Sequence, residues 1–186
     1  LAERVAPSAT RSTTLPADSE LLSHLESGVA TVFASMIGEC ARLARIEGCG
    51  PSETSGARVG VEHGSATDFG REAVVEFRGV LDGRVALRAT NGGATAIARG
   101  LLMAPEGDPL APEEIDDALK ECANMITGWL KSQALDPIGE FTMSVPFLDR
   151  TQRAELGEPA GALVYRTAGG EFAVELWRRI PSARAA

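Results

Sequence analysis

Few side chains in this sequence are spaced so that they could do chemistry together, and Glu121 and Asn124 are the pair that are. They fall in a stretch from Pro112 to about Ala134 whose apolar residues recur at helical spacing. With side chains set about 100° apart, Ile115, Leu119, Cys122, Ile126 and Leu130 form one apolar stripe. Asp117, Glu121, Asn124 and Gly128 fall on the opposite side. Residues i and i+3 are neighbours on a helix surface, so an acid and an amide placed there can enter a partner's cleft together. Taken alone, such a pair is ordinarily just a solvated helix face.

Other chemistries find little support. Cys40, Cys49 and Cys122 are odd in number and lack C-x-x-C spacing, which reads as small buried thiols and not as a zinc site or disulfide framework. His24 and His63 are isolated and fit neither a metal motif nor a histidine-activated nucleophile. No glycine loop of the kind that cradles phosphates is present. No metal site is expected on this chain.

The elements that must position Glu121 and Asn124 follow from patterning. Residues 1–17, rich in Ser, Thr, Pro and Ala, read as a tail or linker, and 18–182 as a single domain. From Leu21 to Leu43 apolar residues recur at helical spacing, predicting a helix over 19–46, bent near Gly38. Residues 48–70 are glycine-rich, with one short strand expected around Arg58 to Glu62. Ala73–Val80 and Arg84–Thr90 read as a hairpin turning through Leu81-Asp82-Gly83. Ala94–Met103 reads as a short helix with Ile97, Leu101 and Leu102 inward. Pro112 suits the first position of the next helix, and Glu113 and Glu114 suit its positive end. Strands are expected over Glu140–Pro146, Ala162–Thr167 and Glu171–Arg178, the last two joined by a turn at Ala168-Gly169-Gly170.

The order helix, strands, two helices, strands predicts an α+β fold. An antiparallel sheet built from hairpins packs against long helices, in two halves that vary one plan. Glu171–Arg178, apolar on both faces, is expected at a sheet edge where a second copy could pair.

The 186 residues carry a net charge of −8, with 44% apolar and 24% charged residues. That is the composition of one globular domain. A pI near 4.9 argues against nucleic acid and anionic membranes, which are held by clustered Lys and Arg. No stretch approaches the roughly 18 apolar residues of a membrane span, and the first residues lack a signal-peptide core. A cytoplasmic location is expected.

The segment Asp117-Ala-Leu-Lys-Glu121-Cys-Ala-Asn124-Met-Ile-Thr-Gly128 resembles the D/S-x-x-x-E-x-x-N signature of the CheX, CheC and FliY chemotaxis phosphatases. Its Asn-Met-Ile-x-Gly continuation is especially like CheX. The likeness extends through Phe77-Arg78-Gly79, Asp82-Gly83 and the stretch Gly139-x-Phe141-x-Met143-Ser144-x-Pro146. It covers about residues 18–180, leaving 48–70 and the tail unmatched.

The resemblance implies a substrate, the phospho-aspartate of a CheY-type response regulator. It implies that Asn124 orients the attacking water and that Glu121 contacts the regulator's active-site lysine. Asp117, Met125 and Gly128 would lie at the docking surface. It also implies that this chain brings no cofactor, the Mg2+ being held by the regulator's own carboxylates. Phosphoryl transfer needs positioning more than covalent chemistry, so the absence of a nucleophile is no obstacle. The alternative is a CheX-like module that docks on a regulator or flagellar component without hydrolysis.

An echo of the signature at Ser35, Glu39 and Arg42 puts arginine where asparagine should stand, so one active site is expected, as in CheX. CheX forms a dimer with a sheet continued across the subunits, and CheC does not. The family therefore does not settle the matter, and the apolar strand edge is what makes a homodimer the expectation, each copy keeping its Glu121 and Asn124 helix free.

Overall fold

The computed structural model describes residues 15–37, 42–47, 68–149 and 159–179. The apolar period from Leu21 builds α1, Asp18–Val32, which buries Leu21, Leu22, Leu25, Val29 and Val32. A five-residue π turn, Phe33–Ile37, continues it. The helix does not run on to residue 46 as expected. Arg42–Glu47 is strand β1, antiparallel to β6 (Gly161–Thr167), with Leu43 opposite Tyr165 and Ile46 opposite Leu163. Leu43 and Ile46 sit at a helix-compatible spacing, but pairing with a strand far along the chain overrides local preference. The Ser35, Glu39, Arg42 echo therefore shares no helix: Ser35 lies in the π turn and Arg42 in β1. Glu39, and the strand expected at Arg58 to Glu62, lie outside the described residues.

Strands β2 (Arg71–Arg78) and β3 (Asp82–Ala89) form the expected hairpin, with Phe77 opposite Gly83. Its turn comes earlier than Asp82-Gly83. Gly79 donates its N–H to Asp82 Oδ1 at 3.1 Å, and Asp82 and Gly83 already belong to β3. Gly83 serves a close approach instead of a turn, since a Cβ there would sit 2.4 Å from the Trp177 carbonyl oxygen.

Helix α2 spans Asn91–Leu101. It starts ahead of the predicted Ala94 because the Thr90 hydroxyl accepts the Gly93 N–H at 3.1 Å and caps it. Leu102 lies just past the end of this helix and is exposed, not inward as its spacing suggested. Helix α3, Pro112–Leu130, runs into a second five-residue π turn, Lys131–Leu135. The two long helices thus end alike.

The strand expected over Glu140–Pro146 shrinks to β4 (Thr142–Met143), followed by β5 (Phe147–Leu148), both paired with β2. Pro146 cannot donate to a ladder. Between them Ser144 exchanges hydrogen bonds with the Glu76 backbone, its hydroxyl accepting the Glu76 N–H at 3.0 Å. Strand β7 (Gly170–Arg179) pairs with β6 across the expected hairpin, and Gly170 takes the positive φ of +152° that the turn demands.

The sheet order is β1-β6-β7-β3-β2-β4, with β5 also on β2. Strand β7 is therefore interior, which corrects its expected place at an edge. Both its faces are apolar because both are buried. Phe172, Val174 and Leu176 join the main core beneath the helices, while Trp177 joins a second cluster with Val74 and Ala86 on the other face. Among the described strands, β1 lies at one end of the sheet and β4 at the other. In the main core, Phe33 stacks on Phe172 at 4.8 Å and Tyr165 on Phe172 at 4.9 Å, tying α1 to the sheet.

Candidate functional site

Helix α3 begins without a side-chain cap at Ala111, and Glu114 replaces one by accepting the Ala111 N–H at 2.7 Å. Arg71, at the start of β2, pairs with Asp116 and also donates to the Pro112 carbonyl at 3.3 Å, pinning the first turn to the sheet. Further along, Trp129 lies against Gly28 of α1, where a Cβ would come within 3.0 Å of its ring. The stripe read from sequence is the buried one: Ile115, Leu119, Cys122, Ile126 and Leu130 all face the core. Thr127 is buried too, its hydroxyl donating to the Ala123 carbonyl at 2.7 Å.

These contacts fix the roll of α3 and so decide what faces outward. Glu121 is exposed and Asn124 half-buried, one turn apart on the same side. Neither side chain has a hydrogen-bond or ion-pair partner among the described residues. Asp117, one turn before Glu121, is exposed but paired with Lys120 at 2.7 Å, so much of its charge is already answered. Gly128, one turn beyond Asn124, has no atom within 4 Å of where a Cβ would stand. Met125 is half-buried and packs against the core cluster, leaving only part of its surface outward. The structure thus gathers Asp117, Glu121, Asn124 and Gly128 on one helix face, with Met125 at its margin.

Cys122, next to Glu121 in the chain, turns to the core and is fully buried. Burial pushes its thiol up from 9.0 to about 12, and the neighbouring Glu121 charge adds to the rise. It is a packing residue, not a nucleophile. A free carboxylate beside a free carboxamide offers acceptors and donors to whatever docks on the helix. The described cavities are lined by other residues.

The family model of chemotaxis phosphatase CheX matches residues 72–165, just over half of the chain. The chain belongs to the CheX family. All of α3 lies inside the matched segment.

Solved structures agree on the fold. A CheX from Desulfovibrio desulfuricans is 18% identical, with a TM-score of 0.62 over 86% of this chain and 99% of that one. The CheX of a CheX-CheY-BeF3-Mg+2 complex from Borrelia burgdorferi is 16% identical, with a TM-score of 0.61 over 86% and 98%. Thermotoga maritima FliY is 15% identical, with a TM-score of 0.50 over 90% and 92%. No curated protein sequence matches. The α+β sheet-and-helix layering is therefore that of CheX proteins.

Two features of the molecule went unread in the sequence. Lys120 tethers Asp117, and its i,i+3 spacing was the available signal. The other is a group of ion pairs on the sheet face away from the helices, Arg84 with Asp149, and Arg88 with Glu72 and Glu175. Its members come from four distant parts of the chain and share no spacing.

Proposed function

We propose that the protein hydrolyses the aspartyl phosphate of a CheY-like response regulator, with α3 inserted into the regulator's active site. The observation that carries this reading is the unpartnered Glu121 and Asn124 pair on the outward side of α3, within the CheX-matched segment. The Asn124 carboxamide holds a water in line with the phosphorus. The water oxygen bonds to phosphorus, the bond to the aspartate oxygen breaks, and phosphate leaves. Glu121 meets the regulator's lysine and sets the approach. Placing one water is a matter of orientation, which lowers a barrier without covalent help from the enzyme. The Mg2+ of the reaction stays on the regulator's carboxylates, and this chain adds no cofactor of its own. The experiment is the decay of a phosphorylated regulator with and without the protein. Faster decay is expected, whereas binding without faster decay would identify a docking module instead.

The face suits a partner in other ways. Gly128 leaves room for an approaching backbone next to Asn124, and Glu113, Glu114 and Glu121 give the outward side of α3 an acidic character that favours a basic rim. Self-association belongs to the opposite border of the molecule. Among the described strands, β1 ends one side of the sheet and exposes Leu43 and Ile46, so a second copy would extend the sheet there and leave each α3 free. The working unit is residues 18–182 as one domain, acting in the cytoplasm, without nucleic acid or membrane.

A further inference from the structure

On the sheet face turned away from the helices, one charged group is left incomplete. Arg84 of β3 is only 9% exposed. Its Nη1 donates to Asp149 Oδ2 at 3.0 Å, and its guanidinium lies over the Trp177 ring at 4.8 Å. Nε and Nη2 are buried and have no hydrogen-bond partner among the described residues. These two nitrogens share one edge of the guanidinium fork, the edge that takes both oxygens of a carboxylate in parallel. A buried donor left unmet is unfavourable, and here two stand side by side.

Arg84 lines a cavity of about 100 Å³ together with Glu76, Arg78, Asp82, Trp177 and Arg178. The other charges of its wall are engaged. Arg78 pairs with Glu76 at 3.1 Å, Asp82 accepts the Gly79 N–H, and Arg178 pairs with Asp18 at 2.5 Å. Asp149 belongs to the wall of a different cavity, while Arg84 lines this one. We propose that this cavity binds a small monocarboxylate, its two oxygens seated on Nε and Nη2 of Arg84.

The size and charge of the space narrow the ligand. A volume of that order holds a group of a few heavy atoms and no peptide chain. The single charge of Arg84 is already shared with Asp149, so its free edge offers two donors to one further negative charge at most, and Glu76 and Asp82 in the wall disfavour a dianion such as a phosphomonoester. Glu76 stands opposite Arg84 across the strand pair, and its ion pair with the exposed Arg78 is of the weak surface kind. That pair can swing aside to admit a ligand to the fork. The site lies on the far face of the sheet from α3 and does not depend on how α3 works.

The test is a titration of the full, isotopically labelled chain with propionate at constant ionic strength set by chloride, followed by the Arg84 Nε–H and tryptophan indole N–H resonances. A saturable downfield shift of Arg84 Nε–H is expected, with Trp177 following the same curve and Trp129 not. Arg84→Lys retains the charge beside Asp149 but loses the fork, and should bind at least about tenfold more weakly. Glu76→Gln removes a negative charge from the wall and should bind more tightly, which keeps the idea testable even if Arg84→Lys fails to fold. A drift without saturation, an unchanged curve in Arg84→Lys, no tightening in Glu76→Gln, or tighter binding of methyl phosphate than of propionate would each overturn the assignment.

Discussion

Gly128 lies one turn beyond Asn124 on the outward side of α3, and a methyl group placed on it would meet no atom within 4 Å. A glycine inside a helix costs roughly 0.5–1 kcal/mol relative to alanine, and nothing in the fold demands it there. Gly128→Ala should therefore stabilise the isolated protein by about 0.4–1 kcal/mol in urea unfolding. It should also slow regulator dephosphorylation by crowding the docking face. Stability gained with activity unchanged would remove Gly128 from the site.

Asn124→Ala should leave the melting temperature in place, since the carboxamide has no partner among the described residues. Dephosphorylation of the regulator should drop about 10²-fold, the usual cost of one positioned polar group. Full activity in this variant would assign the water to another residue.

Glu121→Gln should weaken association with the phosphorylated regulator and lower turnover. Its effect on stability should stay within about 0.5 kcal/mol, as for an exposed and unpaired surface group. Calorimetry alongside the decay assay separates the two, and a large drop in melting temperature would make Glu121 structural.

Cys122 gives the fold an alkaline weakness. Its thiol is held up to about 12 in the folded protein against 9.0 for an ordinary thiol, so from pH 9.0 upward the unfolded chain loses a proton that the folded one keeps. Stability is full below that window and falls as pH rises through it. Tyr165, raised by burial and by the nearby Glu26, acts with the same sign above pH 10.0. Cys122→Ala should flatten the decline of unfolding free energy with pH just above 9.0, and an unchanged slope would acquit the thiol.

Self-association, if it runs through β1, should respond to Ile46, which is 56% exposed on the terminal strand. Light scattering across a concentration series is expected to show a mass above 19.5 kDa that returns toward it in Ile46→Lys. A mass that never departs from that of one chain would exclude the arrangement.

What the sequence disclosed, and what it hid, divides by the range of the interaction. The stripe Ile115 to Leu130 is written locally, because burial repeats once per turn, and the outward side of α3 follows from it directly. The β6–β7 hairpin is local as well, with Gly170 supplying the positive φ. By contrast, Leu43 and Ile46 become strand through β6, whose residues come more than a hundred positions later. The turn ahead of β3 shifted because Asp82 uses its carboxylate to hold Gly79 and not its backbone to make the bend. Apolar alternation on both faces of β7 signalled double burial, which patterning alone cannot tell from an exposed apolar edge. At the site, residue types marked Glu121 and Asn124, but their lack of partners depends on which neighbours the fold turns away, a property of three dimensions.

The interior position of β7 also shapes how the chain comes off the ribosome. Strand β7 is the only link between the β1-β6 pair and the β3-β2 group among the described strands, and it ends at Arg179. Until it emerges, β2 and β3 can pair as a hairpin and α3 can form, yet the phenylalanine stack under α1 has no Phe172 to close on. Closure of the sheet waits on long-range pairings with the last of the described strands, which favours slow folding and leaves apolar strand edges uncovered in the meantime. A chain stopped before residue 170 would present those edges permanently, and chaperones should recognise it as a client.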